Sequence, residues 1–151
     1  MPEDMLNAVL EAGTYAPTGM GKQSPVIVAV TDKATRDILM KMNAAVMGVS
    51  SDPYYGAPVI VLVLADPAAH TYVQDASCVL ENMMLAAHSL GLGSVWVNRE
   101  KEMFESKEGK ALLEKWNLPS TLAGVGSIAL GYPAGALPEA KPLKDGYIVR
   151  V

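Results

Sequence analysis

The unbroken apolar run Val59 to Ala65 constrains this chain more than any other segment. It is continuous rather than alternating and rich in β-branched residues, so it reads as a central strand buried on both faces. Such a strand needs helices on each side of its sheet. The chain has the material for them, with 151 residues, 50% hydrophobic and 19% charged. A globular chain of that length buries roughly 70% of its unfolded surface, enough for a full core without metals or disulfides. Counted from Ala57, the same run is still far short of the roughly 20 residues that span a bilayer.

Charge and cysteine usage exclude several function classes. The formal net charge is −4, from 12 basic and 16 acidic residues. General nucleic-acid binding needs a basic face to neutralise phosphates, so none is expected. Cys78 is the only cysteine, which excludes an intrachain disulfide and makes a cysteine-based zinc site implausible. The amino terminus, Met-Pro-Glu-Asp, lacks the basic n-region of a secretory signal. A cytoplasmic protein without membrane attachment is expected, with residues 1–151 forming one domain because no repeat or linker divides them.

Along the chain, Pro2, Glu3 and Asp4 mark a helix start, with Met5, Val9 and Ala12 on one face until Gly13 and Pro17 end it. Pro25 to Val30 predicts a short strand. A helix from about Lys33 to Val46 follows, capped by Thr31 or Asp32, with Ile38, Leu39, Met42 and Val46 facing inward. The longest helix is predicted from about Ala69 to Leu90. Tyr72, Ala76, Val79, Leu80, Met83, Met84, Ala87 and Leu90 form its apolar stripe, and Gly91 its stop. Ser94 to Val97 reads as a strand, and Ser106 as the start of a short amphipathic helix carrying Leu112, Leu113 and Trp116. Gly124 to Leu130 reads as a further strand, and the alternating tail Gly146 to Val151 as a fifth. Alternating helices and strands imply α/β layering around one sheet.

Several motif readings fail on context. Gly19-Met-Gly21 and Gly91-Leu-Gly93 each follow a helix and precede a strand, the reverse of a dinucleotide fingerprint. Gly21-Lys22 is followed by Gln23, so it is no P-loop. His70 and His88 lack metal-ligand spacing and read as exposed or capping residues. Cys78 falls inside the long helix, on a different face from His88, and reads as a packed core thiol.

The segment Ala16-Pro-Thr-Gly-Met-Gly-Lys-Gln-Ser-Pro25 joins a helix end to a strand and is rich in small residues that let backbone approach a ligand. It resembles the Pro-Ser-x-x-Asn-x-Gln-Pro loop of the FMN-dependent nitroreductase family. Asp75 to Leu92 is similar to that family's central helix, and Gly93-Ser-Val-Trp-Val-Asn98 to the following strand. Gly126-Ser-Ile-Ala-Leu-Gly-Tyr-Pro133 with Lys141-Pro142 resembles its closing strand and basic tail. Four motifs in the same order cover nearly the whole chain.

The resemblance implies an α+β, three-layer sandwich with a central mixed sheet flanked by helices, forming a twofold homodimer with a swapped C-terminal tail. FMN would lie in a groove between the subunits. NADH or NADPH would reduce it, and a nitroaromatic or quinone-like small-molecule acceptor would then take the same slot in a ping-pong cycle. Hydride transfer at flavin N5 requires no catalytic side chain. Carried over residue by residue, Pro17, Thr18, Met20, Gly21 and Gln23 would touch the ribityl chain and ring edge. Trp96, Val97 and Asn98 would lie near the central ring, with the Asn98 backbone N–H aimed at N5 or O4. Lys141 and Lys144 would meet the phosphate. Two departures from the pattern stand out. Gly21 replaces the usual loop Asn and Leu143 the usual tail Arg, and the chain begins after the family's Arg-Arg-Ser-x-Arg segment, whose guanidiniums grip the phosphate. The chain is then either a piece of a longer gene product or a short member. The alternatives are a non-enzymatic dimeric module or a flavin-storing or sensing protein.

Overall fold

The computed structural model describes residues 1–136 and 139–151. Helix α1 (Glu3–Thr14) leads into a single 3-10 turn, Gly19–Gly21, and strand β1 (Pro25–Val30). Helix α2 (Lys33–Met47), strand β2 (Val59–Ala65), helix α3 (Tyr72–Ser89) and strand β3 (Gly93–Val97) follow. Helices α4 (Glu100–Glu105) and α5 (Lys107–Lys115) then precede β4 (Ala123–Gly131). The strands form one four-stranded sheet in the order β1-β2-β4-β3. All three pairings are antiparallel, so within one chain the sheet is not the expected mixed one.

Strand β2 is buried at every position. Its alternate residues serve two cores, as the pleat requires. Val59, Val61, Val63 and Ala65 join α1 and α3, with Val9, Leu80 and Met83. Ile60, Leu62 and Leu64 join the other layer, with Leu39, Phe104 and Leu113. The result is the expected three-layer sandwich. Its registry breaks once, between Val63 and Leu64, which face Gly126 and Gly124 and leave Val125 as the extra residue of a bulge.

Helix α2 begins as expected, with the Asp32 carboxylate accepting from the Thr35 backbone N–H at 2.8 Å. Its buried stripe is narrower than expected: Thr35, Leu39, Met42 and Asn43 are buried, whereas Ile38 (39% exposed) and Val46 (41% exposed) are not. The spacing 35, 39, 42, 43 is one helical face; Ile38 flanks it, whereas Val46 falls on it but in the last turn of the helix, where it is left uncovered. In α1 the buried face is Leu6, Val9 and Gly13, with Met5 and Ala12 only half-buried. In α3 the stripe is Ala76, Val79, Leu80, Met83 and Ala87, while Tyr72 and Met84 are half-buried and Leu90 is exposed at the helix end.

Two further expectations are corrected. Cys78 is exposed rather than packed, because it lies two residues from both Ala76 and Leu80 and so about 200° round the helix from them. The tail Gly146 to Val151 forms no strand in this chain, and its apolar side chains face solvent. An isolated strand has no ladder partner, and alternation alone cannot supply one. His70 and His88 are both exposed, as expected. Among the described residues no helix is long and apolar enough to cross a membrane.

Truncating β2 should be costly, since it serves both cores. Leu62→Ala is expected to destabilise the fold by about 2–5 kcal/mol, read as a lower urea midpoint at unchanged slope.

Candidate functional site

The loop after α1 is held by three separate ties. The Asn82 side-chain amide of α3 donates to the Ala12 carbonyl at 3.2 Å, fixing the end of α1. The Thr18 hydroxyl accepts from the Gln23 N–H at 3.0 Å, closing the turn on itself. The buried Asp75 carboxylate accepts from the Gly19 N–H at 2.9 Å and from the Thr71 hydroxyl at 3.0 Å. Asp75 also stands in the first turn of α3, where a negative charge is favoured by the helix dipole. The loop carries backbone strain at Met20 (φ 54°) and Gln23 (φ 50°), while Gly21 takes φ 64° without a Cβ to oppose it.

This anchoring opens a cleft of about 410 Å³ between the loop, α1 and β1, into which Thr18 and Gln23 project beside Gly13, Ala16, Ile27 and Val79. Its polar side chains are the hydroxyls of Thr14 and Thr18 and the amide of Gln23, and among the described residues no titratable side chain lines it. Such a lining suits a neutral, hydroxylated chain and the edge of a heteroaromatic ring. It contains no cation for a phosphate. Pro17, Met20 and Gly21 are exposed on the outer rim of the loop, Met20 at 84%.

Trp96, Val97 and Asn98 stand elsewhere. They lie at the end of β3, the edge strand opposite β1. Two strands intervene, so the groups are separated by three strand spacings, roughly 14 Å. The half-buried Trp96 lies over Gly126, where a Cβ would approach its Nε1 to 2.8 Å, and its indole N–H donates to the Asn98 side-chain oxygen at 2.9 Å. Val97 is buried in the opposite layer. Lys141 and Lys144 are exposed on the tail, with the Lys144 ammonium 5.2 Å from the centre of the Tyr147 ring. One chain therefore does not bring the three predicted groups together.

A second polar cluster escaped sequence reasoning. Asn43, Tyr54, Glu100 and Ser127 are all fully buried. Ser127 donates to Glu100 Oε1 at 2.5 Å and the Tyr54 hydroxyl to the same oxygen at 3.2 Å, while Oε2 is buried without a partner. Burial pushes the Glu100 carboxyl up from its ordinary value of 4.5 to about 7, against the opposing pull of those hydrogen bonds and of Arg99. Burial, and then the nearby Glu100 charge, raises the Tyr54 hydroxyl as well. The four residues come from α2, a loop, α4 and β4, and no local pattern links them.

Comparison with known proteins places this geometry. The model of the nitroreductase family matches residues 1–132. A protein of Archaeoglobus fulgidus named "Putative NADH dehydrogenase/NAD(P)H nitroreductase" is 33% identical over 139 residues, covering 87% of this chain and 74% of that one. The crystal structure of an FMN-bound nitroreductase from Bacteroides fragilis superposes with a TM-score of 0.90 at 34% identity, covering 100% of this chain and 88% of the other. An FMN-bound nitroreductase from Desulfitobacterium hafniense gives 0.86 at 25% identity, with coverage of 100% and 88%.

The raised Glu100 carboxyl makes stability depend on pH. The stability of the protonated form is fully present below about pH 4.5 and is lost as pH rises through about 7. Glu100→Gln should flatten that part of the profile and exceed the parent above about pH 7 by on the order of 2–4 kcal/mol, measured by urea unfolding across pH.

Proposed function

The chain belongs to the nitroreductase family, and on that premise we propose that it is an FMN-dependent oxidoreductase that takes hydride from NADH or NADPH and passes it to nitroaromatic or quinone-like acceptors. The observation that carries the reading is the anchored loop over a neutral cleft, in a fold that superposes along its whole length on an FMN-bound relative. The two-electron chemistry is supplied by the flavin when bound. The chain's own part is to position and polarise. Thr18 and Gln23 offer a hydroxyl and an amide to the ribityl chain and ring edge, with Pro17, Met20 and Gly21 at the rim. Trp96, Val97 and the Asn98 backbone bring a fixed dipole to the ring, where it favours the electron-rich state. No acid or base is required of the cleft, and its lining holds none.

The separation of the loop from Asn98 across the sheet supports a groove completed by a second copy, so the protein is a twofold homodimer on this reading. The domain extends through the tail to residue 151. Two features of the chain support a swapped tail: Tyr147, Ile148, Val149 and Val151 are exposed, and β1 is an edge strand with a free side. A groove of about 490 Å³ runs along that edge beside Trp116 and Leu118. Pairing there would cover an edge that otherwise invites aggregation. Lys141 and Lys144 would then carry the phosphate contacts that the cleft lacks.

The visible spectrum of the purified protein tests the cofactor. Flavin bands near roughly 370 and 450 nm, bleached by NADH or NADPH and restored by an acceptor, are expected. Colourless protein that takes up no added FMN supports the non-enzymatic module instead, a reading favoured by the lack of any cation in the cleft lining. Bound flavin that nicotinamide does not bleach supports a storage or sensing role. Deleting Tyr147 to Val151 is expected to weaken the dimer in sedimentation velocity and to release flavin in the same samples. A monodisperse monomer for the intact chain at micromolar concentration overturns the shared groove.

A further inference from the structure

Among the described residues, a buried polar cluster lies at the junction of β3 and α4, on the sheet face away from the cleft. At its centre, Asn43 donates from Nδ2 to the Asn98 carbonyl at 2.9 Å and to the Tyr54 hydroxyl at 3.2 Å, and its Oδ1 accepts from Arg99 Nε at 2.7 Å. We infer that Asn43 is a positioning residue for the backbone at Asn98, held in orientation by Tyr54 and, through it, by Glu100 and Ser127. The inference rests on the assignment of Asn98 to the flavin edge made above.

Four observations carry it. Asn43 is fully buried on a helix whose other inward residues include Leu39 and Met42, where an apolar side chain would pack without the desolvation penalty of an amide. Its partners span both ends of the amide group, so a flipped amide would set donor against donor and acceptor against acceptor; only one orientation is satisfied. The residue it grips is held from the other side too, because the Trp96 indole N–H donates to the Asn98 side-chain oxygen. Asn98 is thus fixed through its carbonyl from one sheet face and through its side chain from the other. Finally, the next residue, Arg99, adopts φ 89°, ψ 6°, a left-handed conformation disfavoured for a residue with a Cβ. Its bond to Asn43 holds that turn in place.

The functional consequence concerns preorganisation. A backbone dipole aimed at a ring stabilises charge only if it is already aligned, and a displacement of about 1 Å can cost on the order of a hundredfold in rate. Asn43 touches neither the cleft nor any group proposed to meet the flavin except Asn98 itself. Its effect therefore passes through the Asn98 carbonyl.

Two variants test this: Asn43→Leu, which at similar volume removes these three bonds and a contact from Nδ2 to Met103 Sδ at 3.3 Å, and Tyr54→Phe, which removes only the hydroxyl. In flavin-free protein, amide exchange of the segment 97–100 should accelerate in Asn43→Leu while β2 stays protected. With FMN added, Asn43→Leu should bind about tenfold more weakly, as expected for a lost hydrogen bond to a positioned group. The bound flavin should also show shifted bands and an altered midpoint potential, with Tyr54→Phe shifting both in the same direction by less. If Asn43→Leu does not fold, Tyr54→Phe alone decides. Wild-type protein that binds FMN, with variants matching it in segment exchange, affinity and potential, overturns this inference and leaves the functional reading standing. Wild-type protein that takes up no FMN overturns the functional reading and this inference with it.

Discussion

The burial of β2 on both faces is the constraint on which the rest of the structure depends. A strand hydrogen-bonded on both sides, to β1 and to β4, and apolar on both faces can be stable only with a helical layer on each side. That requirement sets the positions of α1 and α3 against one face and of α2, α4 and α5 against the other. Everything at the ends of the strands then inherits a rigid reference. The Thr18–Gln23 loop is anchored to α3 rather than free to move, because α3 is already fixed on β2 and β4 by Val79, Leu80 and Met83.

Polar residues in this scaffold are sparse and placed with purpose. Asp75 spends its carboxylate on a loop backbone and a neighbouring hydroxyl. Asn43 spends its amide on the turn that ends β3. Each would cost stability if left unpaired in the interior. Each instead links a helix layer to one half of the proposed flavin groove, one at either edge of the sheet. The exception is Glu100, whose second oxygen has no partner and whose carboxyl is drawn toward its neutral form by burial.

How much of this was legible in the sequence depends on the range of the signal. The bounds of β1 and β2, the Asp32 and Ser106 helix starts and the centre of the α3 stripe, from Ala76 to Ala87, all follow from patterns within a few turns or one strand, and the structure keeps them. The family motifs were legible because they are contiguous. Helix α4 was not, since its first inward residue is a glutamate, and a buried carboxylate breaks the apolar periodicity that marks a helix face. Ile38 and Cys78 were assigned to the wrong side because apolar character was taken for burial, and Val46 to the core because it shares the inward face, whereas the width and length of the buried stripe are set by what packs against it. The Asn43–Tyr54–Glu100–Ser127 cluster joins residues from four elements and had no local signature. Nor could alternation in Tyr147 to Val151 reveal whether a ladder partner exists.

Cys78 has a practical meaning that its surroundings make plain. It is the one cysteine in the sequence, and it sits exposed on the outer side of α3. A maleimide or spin label therefore has a single address per chain, on a helix whose opposite side is locked to the sheet. Distances measured between such labels would report the arrangement of whole chains rather than the motion of a loop. Because there is no second cysteine, refolding also proceeds without disulfide reshuffling within the chain.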